Sequence, residues 1–342
     1  PDIQKGAQRK TGTTEALFSV LSALEQNKGP VTVAFLDLSK AYDRVWREGL
    51  WVKLHGLGVN RRLLKAVMST YTNPSMRVSL GNNVSKQFSM VNGLRQGSVL
   101  SPLLFISLFS DTVNDVKIHN GLPLDAEDGE IHISGQCFID DTVFMGKEPN
   151  QIVDMIEAFN ANAAIWGSVL NLHKTRILCN KSLKGISQWM TDLKIEQDQH
   201  SVGKYLGLWL SIKNSTCNVH YDKILAKAQR TLYFLKSKGL GKKCTPFTEA
   251  VAIIKALIFP QLLYAAEVLC PSEAVIKKVD KFILHTLSTF THIPIDALPI
   301  TTRWEANVDS FETMLMRAKL KFHYKLSQSK YPSQARKIYT CN

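Results

Sequence analysis

Apolar positions along the chain switch repeatedly between a helical period and a strand period. Residues 11 to 27 carry Leu17, Phe18, Leu21 and Leu24 at helical spacing behind a threonine-rich opening, and Gly29-Pro30 ends that helix. Val33, Phe35 and their apolar neighbours then form a short strand-like run, with Asp37 near its end. An amphipathic helix is expected from Asp43 to Leu57, with Val45, Trp46, Leu50 and Leu54 inward and Asp43 as its N-cap. Arg77 to Leu80 and Lys86 to Met90, joined through Gly81-Asn82-Asn83, read as a hairpin. Ser98 to Val116 reads as a largely buried helix and Gln151 to Trp166 as an amphipathic one. Between these two, Cys137, Phe138 and Ile139 run into Asp140 and Asp141, after which Thr142 to Met145 resume the strand pattern. That is the picture of a hairpin with two acids at its tip. Beyond Ser211 the periods are helical almost throughout, at about 218 to 238, 246 to 269, 273 to 290 and 307 to 328. The fold class is therefore α+β followed by an all-helical region, with the boundary near 213 to 218.

Composition narrows the partners. A chain of 342 residues with 45% hydrophobic content can bury large cores and suits two or three subdomains. No apolar run approaches a membrane span, and the N-terminus is not a signal peptide, so no membrane partner is expected. Of the net charge of +13, most lies late: residues 218 to 342 hold 19 Lys and Arg against 9 Asp and Glu. A basic helical region matches a phosphate backbone electrostatically; a solvated basic face is the plainer alternative. Six scattered cysteines with no C-x-x-C pair read as free thiols of a reducing compartment, with no zinc site implied.

The candidate chemistry lies in FLDLSKAYD (35 to 43) and CFIDDTVFM (137 to 145). Carboxylates in apolar company are costly unless solvated at a turn or gathered around a cation. Each stretch alone reads more simply as a turn with solvated acids. Strict alternation would also send Asp140 and Asp141 to opposite faces unless the turn re-aims one.

The two stretches do not stand alone. GLRQGSVLSPLLF (93 to 105), LNLHKTRIL (170 to 178) and KYLGLWLS (204 to 211) follow in order. Together, from about Gln4 to Ser211, these residues closely resemble the reverse transcriptase of non-LTR (LINE-like) retrotransposons, and more faintly LPITTRWEANVDSFETMLMRAKLKFHYKL (298 to 326) resembles the tail of that domain. The resemblance implies a right-hand polymerase: partial fingers at 1–34, an antiparallel palm at 35–212 with a fingers insertion at about 44–92, and a helical thumb and C-terminal extension at 213–342. It implies an RNA-directed DNA polymerase extending a DNA primer on an RNA template with deoxynucleoside triphosphates and Mg²⁺; the ligand set admits Mn²⁺ as well. The RNA–DNA duplex, a larger ribonucleoprotein and an intracellular setting, nuclear or cytoplasmic, belong to the same expectation.

Roles follow residue by residue. Asp37 and Asp140 are expected to bridge two metal ions, Asp141 to support the primer-side ion, and the Leu38 carbonyl to add a ligand on the nucleotide side. Tyr42 stands where the family places a ring under the sugar of the incoming nucleotide, favouring deoxynucleotides; otherwise it is a core tyrosine. Gln96 and Gly97 match the segment lining the nucleotide pocket. Lys174 is the expected general acid or electrostatic partner of the departing pyrophosphate. Arg9 and Lys10, after Lys5, match the basic fingers segment that meets the triphosphate. Tyr205, Leu206 and Gly207 match the primer grip.

The chain departs from the family at Ala7 and Gly12, where an aromatic and an arginine are usual, and at Ile139, where relatives usually carry alanine. Ile139 either crowds the nucleotide or primer end or points into the core. These departures support the alternative, a domesticated RNA-binding or structural subunit that no longer polymerises. A start at Pro1 reads as a fragment or excised domain, and no nuclease or zinc knuckle is legible to credit with target cleavage.

Overall fold

The computed structural model of the chain describes residues 3–7, 11–115, 121–126, 129–180, 202–241, 245–291, 293–294, 297–328 and 334–339. Two compact units divide it, Pro1–Gln199 and His200–Asn342.

In chain order the first unit runs α1 (Thr13–Gln26), β1 (Thr32–Leu36), α2 (Arg47–Gly56), α3 (Arg61–Ser69), four two-residue strands β2 (Ser75–Met76), β3 (Ser79–Leu80), β4 (Asn83–Val84) and β5 (Phe88–Ser89), then α4 (Ser101–Asp115), β6 (Leu122–Ala126), β7 (Gly129–Ile133), β8 (Gly135–Phe138), β9 (Asp141–Gly146), α5 (Pro149–Ile165) and β10 (Arg176–Cys179). Its centre is a four-stranded sheet in the order β10-β1-β9-β8, antiparallel throughout. The TVAFL run of β1 is buried at every position, as an interior strand covered on both faces requires. Ala34, Leu36, Phe144 and Ile177 from the sheet share one core with Leu104, Phe105 and Leu108 of α4 and Ile152, Met155, Ile156 and Phe159 of α5. Helix α1 buries Leu17 and Leu21 as expected, alongside Ala16 and Val20.

Four expectations here need correcting. The helix expected from Asp43 begins only at Arg47, with Trp46 at its N-cap position. Lys40, at φ +51, offers its carbonyl to the N–H groups of both Asp43 and Arg44, closing a separate turn ahead of the helix. Asp43 is therefore not the cap, and Trp46 faces outward, about half exposed, while Val45, Leu50 and Leu54 are buried. The 77–90 hairpin exists but is interrupted: β3 pairs with β4 across Gly81-Asn82, and β2 with β5 further down.

The second unit opens with a hairpin of β11 (Val202–Tyr205) and β12 (Leu208–Ser211), followed by α6 (Thr216–Ser237), α7 (Phe247–Leu257), α8 (Phe259–Leu262), α9 (Glu273–Thr291), α10 (Pro299–Ala306), α11 (Phe311–Ser327) and α12 (Gln334–Tyr339). Helix α6 packs on β12, so the hairpin groups with the helices and the division falls ahead of 213. The expected 246–269 helix breaks beside Pro260, whose ring and missing N–H cannot continue it. The expected 307–328 helix starts at Phe311, with the Ser310 hydroxyl accepting from the Thr313 N–H. Tyr221 and Phe311 meet edge to face at 5.6 Å in this core. Among the described residues no helix is long and apolar enough to cross a membrane.

Candidate active site

Strand β1 ends where its apolar run ends. Asp37 follows Leu36 into a half-buried position, because a carboxylate cannot enter the sheet interior without a partner. The partners come from the loop before β10. Asn171 donates its backbone N–H to the Asp37 carbonyl (2.7 Å) and its side-chain amide to Asp37 Oδ2 (3.1 Å). Lys174 Nζ stands 3.3 Å from the same carboxylate oxygen, with the lysine two-thirds exposed. Leu38 bridges Leu170, and the Ser39 N–H donates to the Val169 carbonyl, so the segment after β1 is laced to the loop that carries Lys174.

The second carboxylate arrives on the β8–β9 turn. Phe138 pairs with Asp141, which leaves Ile139 and Asp140 as the turn itself. Since Leu36 pairs with Thr142, one further step along the antiparallel register carries Asp37 to the Asp140-Asp141 end of β9. Burial, and then the Asp37 charge, hold the Asp140 carboxyl above its ordinary range, while backbone hydrogen bonds and Lys174 act in the opposite direction. Asp37, Asp140 and Lys174 thus share one electrostatic neighbourhood. Asp141 is exposed and opens β9. The turn does separate the environments of the adjacent acids.

Tyr42 lies beside them. Its ring stacks on Phe105 at 5.2 Å, and burial followed by the Asp140 charge raises its phenol above the ordinary value. The Leu94 N–H donates to the Tyr42 carbonyl and the Gly93 N–H to that of Val45, which ties the loop before α4 to the loop after β1. Gln96 donates its amide to Asp43 Oδ1 at 3.1 Å, giving Asp43 a loop-holding contact in place of the expected capping one. Gly97 sits at φ +85, and a Cβ there would have nothing within 4 Å, so the backbone is open to close approach.

Arg47, Asn171 and Gln4 hold the segments around these residues, although no motif marks them for it. Buried Arg47 donates to three carbonyls, those of Gly93 (2.7 Å), Met90 and Asn92 (both 3.0 Å), and thereby shapes the loop leading to Gln96. Asn171 lies inside the quoted LNLHKT motif, where an amide residue in a loop was the available signal. Gln4 is buried against the acidic turn, accepting from the Ile139 N–H (2.9 Å) and donating to the Ile139 carbonyl (3.2 Å). Of the two expected placements for Ile139, the one toward the core is observed: its side chain packs against the main cluster. Ala7 is exposed at φ +49, and the Gly12 N–H donates to the Glu15 carboxylate at the start of α1. Lys5 is buried, with its N–H on the Cys137 carbonyl. Arg9 and Lys10 lie outside the described residues.

Tyr205, Leu206 and Gly207 belong to the second unit. They form the end of β11 and a tight turn, with Leu206 at φ +46 and Gly207 at φ +86. The Tyr264 hydroxyl donates to the Leu206 carbonyl. Trp209, on β12, receives the ammonium groups of Lys204 (5.8 Å) and Lys223 (5.3 Å) over its ring.

Among the described residues no three His, Cys, Asp or Glu side chains stand close enough to hold a metal ion unaided. Two carboxylates brought together from different strands are nevertheless oxygen donors that could share a hard divalent cation completing its shell with water and substrate phosphate.

Comparison with known proteins follows the same residues. The family model described as "Reverse transcriptase (RNA-dependent DNA polymerase)" matches residues 1–210. The RNA-directed DNA polymerase from mobile element jockey of Drosophila melanogaster is 28% identical over 282 residues, covering 78% of this chain and 29% of that protein. The Pol polyprotein from the type-1 retrotransposable element R2 of Popillia japonica is 21% identical over 273 residues, covering 77% and 43%. The chain thus spans less than half the length of these relatives. Among solved structures, telomerase from Candida tropicalis in complex with a TWJ fragment of telomeric RNA aligns at TM-score 0.41 and 14% identity, over 95% of this chain and 52% of that one.

Proposed function

Because this chain belongs to the reverse transcriptase (RNA-dependent DNA polymerase) family, with its right-hand polymerase fold, we propose that it is an RNA-directed DNA polymerase of the non-LTR retrotransposon type. In this reading the β10-β1-β9-β8 sheet is the palm, the short-stranded ribbon at 75–89 belongs to the fingers insertion, and the helices after β12 form the thumb and C-terminal extension. The chain copies an RNA template by extending a DNA primer with deoxynucleoside triphosphates, inside the cell and within a ribonucleoprotein.

The observation that carries this reading is the convergence of Asp37 and Asp140, from separate strands, with Lys174 on one of them. Divalent ions, with Mg²⁺ favoured and Mn²⁺ admitted, supply the Lewis acidity that activates a primer hydroxyl and neutralises a leaving pyrophosphate. Asp37 and Asp140 would hold such ions, with Asp141 and the Leu38 carbonyl completing the protein's share, and Asn171 fixes the Asp37 carboxylate in orientation. Lys174, on a long exposed stem, steadies or protonates the pyrophosphate. The Tyr42 ring, fixed by its stack on Phe105, lies under the incoming sugar and disfavours a 2′ hydroxyl. Gln96 and the open backbone at Gly97 meet the nucleotide, and Arg9 and Lys10 its triphosphate. Tyr205 to Gly207 steady the primer end, chiefly through backbone, and the basic C-terminal third grips the duplex.

The test is extension of a DNA primer on an RNA template with Mg²⁺, wild type beside Asp140→Asn. The variant is expected to lose at least about 10³-fold, since a metal-binding carboxylate carries several kcal/mol of transition-state stabilisation. Equal extension by both proteins, or none by either with Mg²⁺ or Mn²⁺, overturns the polymerase reading and leaves an RNA-binding subunit in its place.

A further inference from the structure

The turn that presents Asp140 has a backbone its sequence does not favour. Ile139 sits at φ +63, in the left-handed region that glycine fills freely and a β-branched residue avoids. Such a conformation costs about 1–3 kcal/mol and persists only where surrounding groups over-determine it. One side chain does that here. Gln4 is 2% exposed. Its Oε1 accepts from the Ile139 N–H at 2.9 Å and from the Gly6 N–H at 2.8 Å, while its Nε2 donates to the Ile139 carbonyl at 3.2 Å. The carboxamide therefore engages both backbone polar groups of Ile139, as a neighbouring strand would.

The segment that delivers Gln4 is itself anchored to the same hairpin. Residues 3–5 run parallel to β8: the Cys137 N–H donates to the Ile3 carbonyl (2.9 Å) and the Lys5 N–H to the Cys137 carbonyl (2.8 Å). Gly6 then crosses directly over the turn, where a Cβ would lie 2.6 Å from both Ile139 N and Ile139 Cγ1. Asp140 is the next residue along.

We propose that Gln4 is a positioning residue for catalysis, the clamp that holds Ile139 left-handed and thereby aims the Asp140 carboxylate toward Asp37. This rests on the polymerase reading for what the aimed carboxylate does. The conformational claim stands on the turn alone.

A double-mutant cycle separates clamping from mere anchoring of the N-terminal segment. Gln4→Leu removes all three hydrogen bonds at similar bulk, the one from Gly6 being lost equally in either background, and it is made in the wild-type chain and in the Ile139→Gly background, where glycine adopts the left-handed region without help. Four quantities are read on each protein: amide hydrogen exchange at residue 139, Mn²⁺ affinity by electron paramagnetic resonance without nucleotide, and kcat and KM in primer extension. In the wild-type background Gln4→Leu is expected to deprotect the Ile139 amide and to lower Mn²⁺ affinity and kcat about 10–100-fold, the usual cost of losing an outer-shell partner, with nucleotide KM unchanged. In the Ile139→Gly background the same change should cost less than about threefold in affinity and kcat.

Equal losses in both backgrounds, or an unchanged Mn²⁺ affinity beside a lost kcat, overturn the clamp. If Gln4→Leu does not fold, Gln4→Glu keeps the acceptor, loses the donation to the Ile139 carbonyl, and reads the same coupling at smaller amplitude. Asp140→Asn distinguishes the two levels. Mn²⁺ affinity unaffected by that change sinks the metal site of the polymerase reading, whereas the hydrogen-exchange cycle still decides the clamp.

Discussion

Two hairpin tips, one in each unit, put an aliphatic residue where a tight turn ordinarily takes glycine or asparagine. At the β8–β9 tip Ile139 alone among the two central residues has positive φ, and a glutamine amide takes both of its backbone polar groups. At the β11–β12 tip Leu206 and Gly207 both have positive φ, and a single hydroxyl, that of Tyr264, takes the Leu206 carbonyl. The first turn carries an ionisable group, Asp140; the second carries none and offers only backbone. The more heavily bonded tip is the one with a side chain to aim.

The comparison can be broken most strongly with acid. His220 is buried beside the second hairpin and accepts the Trp209 N–H on Nδ1 (3.3 Å), and burial lowers its pKa to about 4 from 6.5, with the Tyr264 backbone acting in the opposite direction. The unfolded chain therefore takes up the proton near pH 6.5 and the folded chain only near 4. Stability from this group is complete above 6.5, falls between 6.5 and 4, and levels off below. The total is about 3 kcal/mol. Denaturant unfolding of wild type against His220→Gln, which lacks that titration, should show the difference slope in this window, with hydrogen exchange loosening first at β11–β12. Parallel acid limbs for the two proteins would remove His220 from the account.

A smaller effect is expected from Gly6→Ala. The added methyl meets backbone as well as side chain of Ile139, so the cost should be about 2 kcal/mol in unfolding free energy, within the range for overpacking. A neutral result would mean that the segment over the first tip yields easily. Gly207→Ala, at φ +86 with the Tyr264 ring 3.0 Å from the new Cβ, should cost about 1–2 kcal/mol and be felt only in the second unit's melting. Least of all, Tyr264→Phe removes one hydrogen bond to Leu206 and should cost about 1 kcal/mol. A loss as large as that of Gly6→Ala would erase the difference between the tips.

Much of the first tip was legible in the sequence. Acids that interrupt an apolar run have to sit at a turn or a site, so Asp37 and the Asp140-Asp141 pair stood out before any partner was known. The helices from 13, 149, 216 and 273 followed their apolar period closely. What escaped depends on long-range contact. Gln4 meets Ile139 across 135 positions of sequence, and nothing local distinguishes a clamping glutamine from a solvated one. The start of α2 was misplaced because Val45 and Trp46 continue the apolar pattern of the helix while the Lys40 turn holds their backbone outside it. The broken helix at Pro260 was readable in principle; the apolar run on either side masked it.

Arg47 carries a consequence for tolerance to change. One fork of nitrogens satisfies the carbonyls of Met90, Asn92 and Gly93, just beyond the end of β5. The N–H groups of Gly93 and Leu94 and the Gln96 amide have partners of their own on the loop after β1, but these three carbonyls share a single planar cation. Lysine preserves the charge but not the fork, so what counts elsewhere as the mildest of replacements is here among the harshest. Three carbonyls of this loop answer to that one side chain.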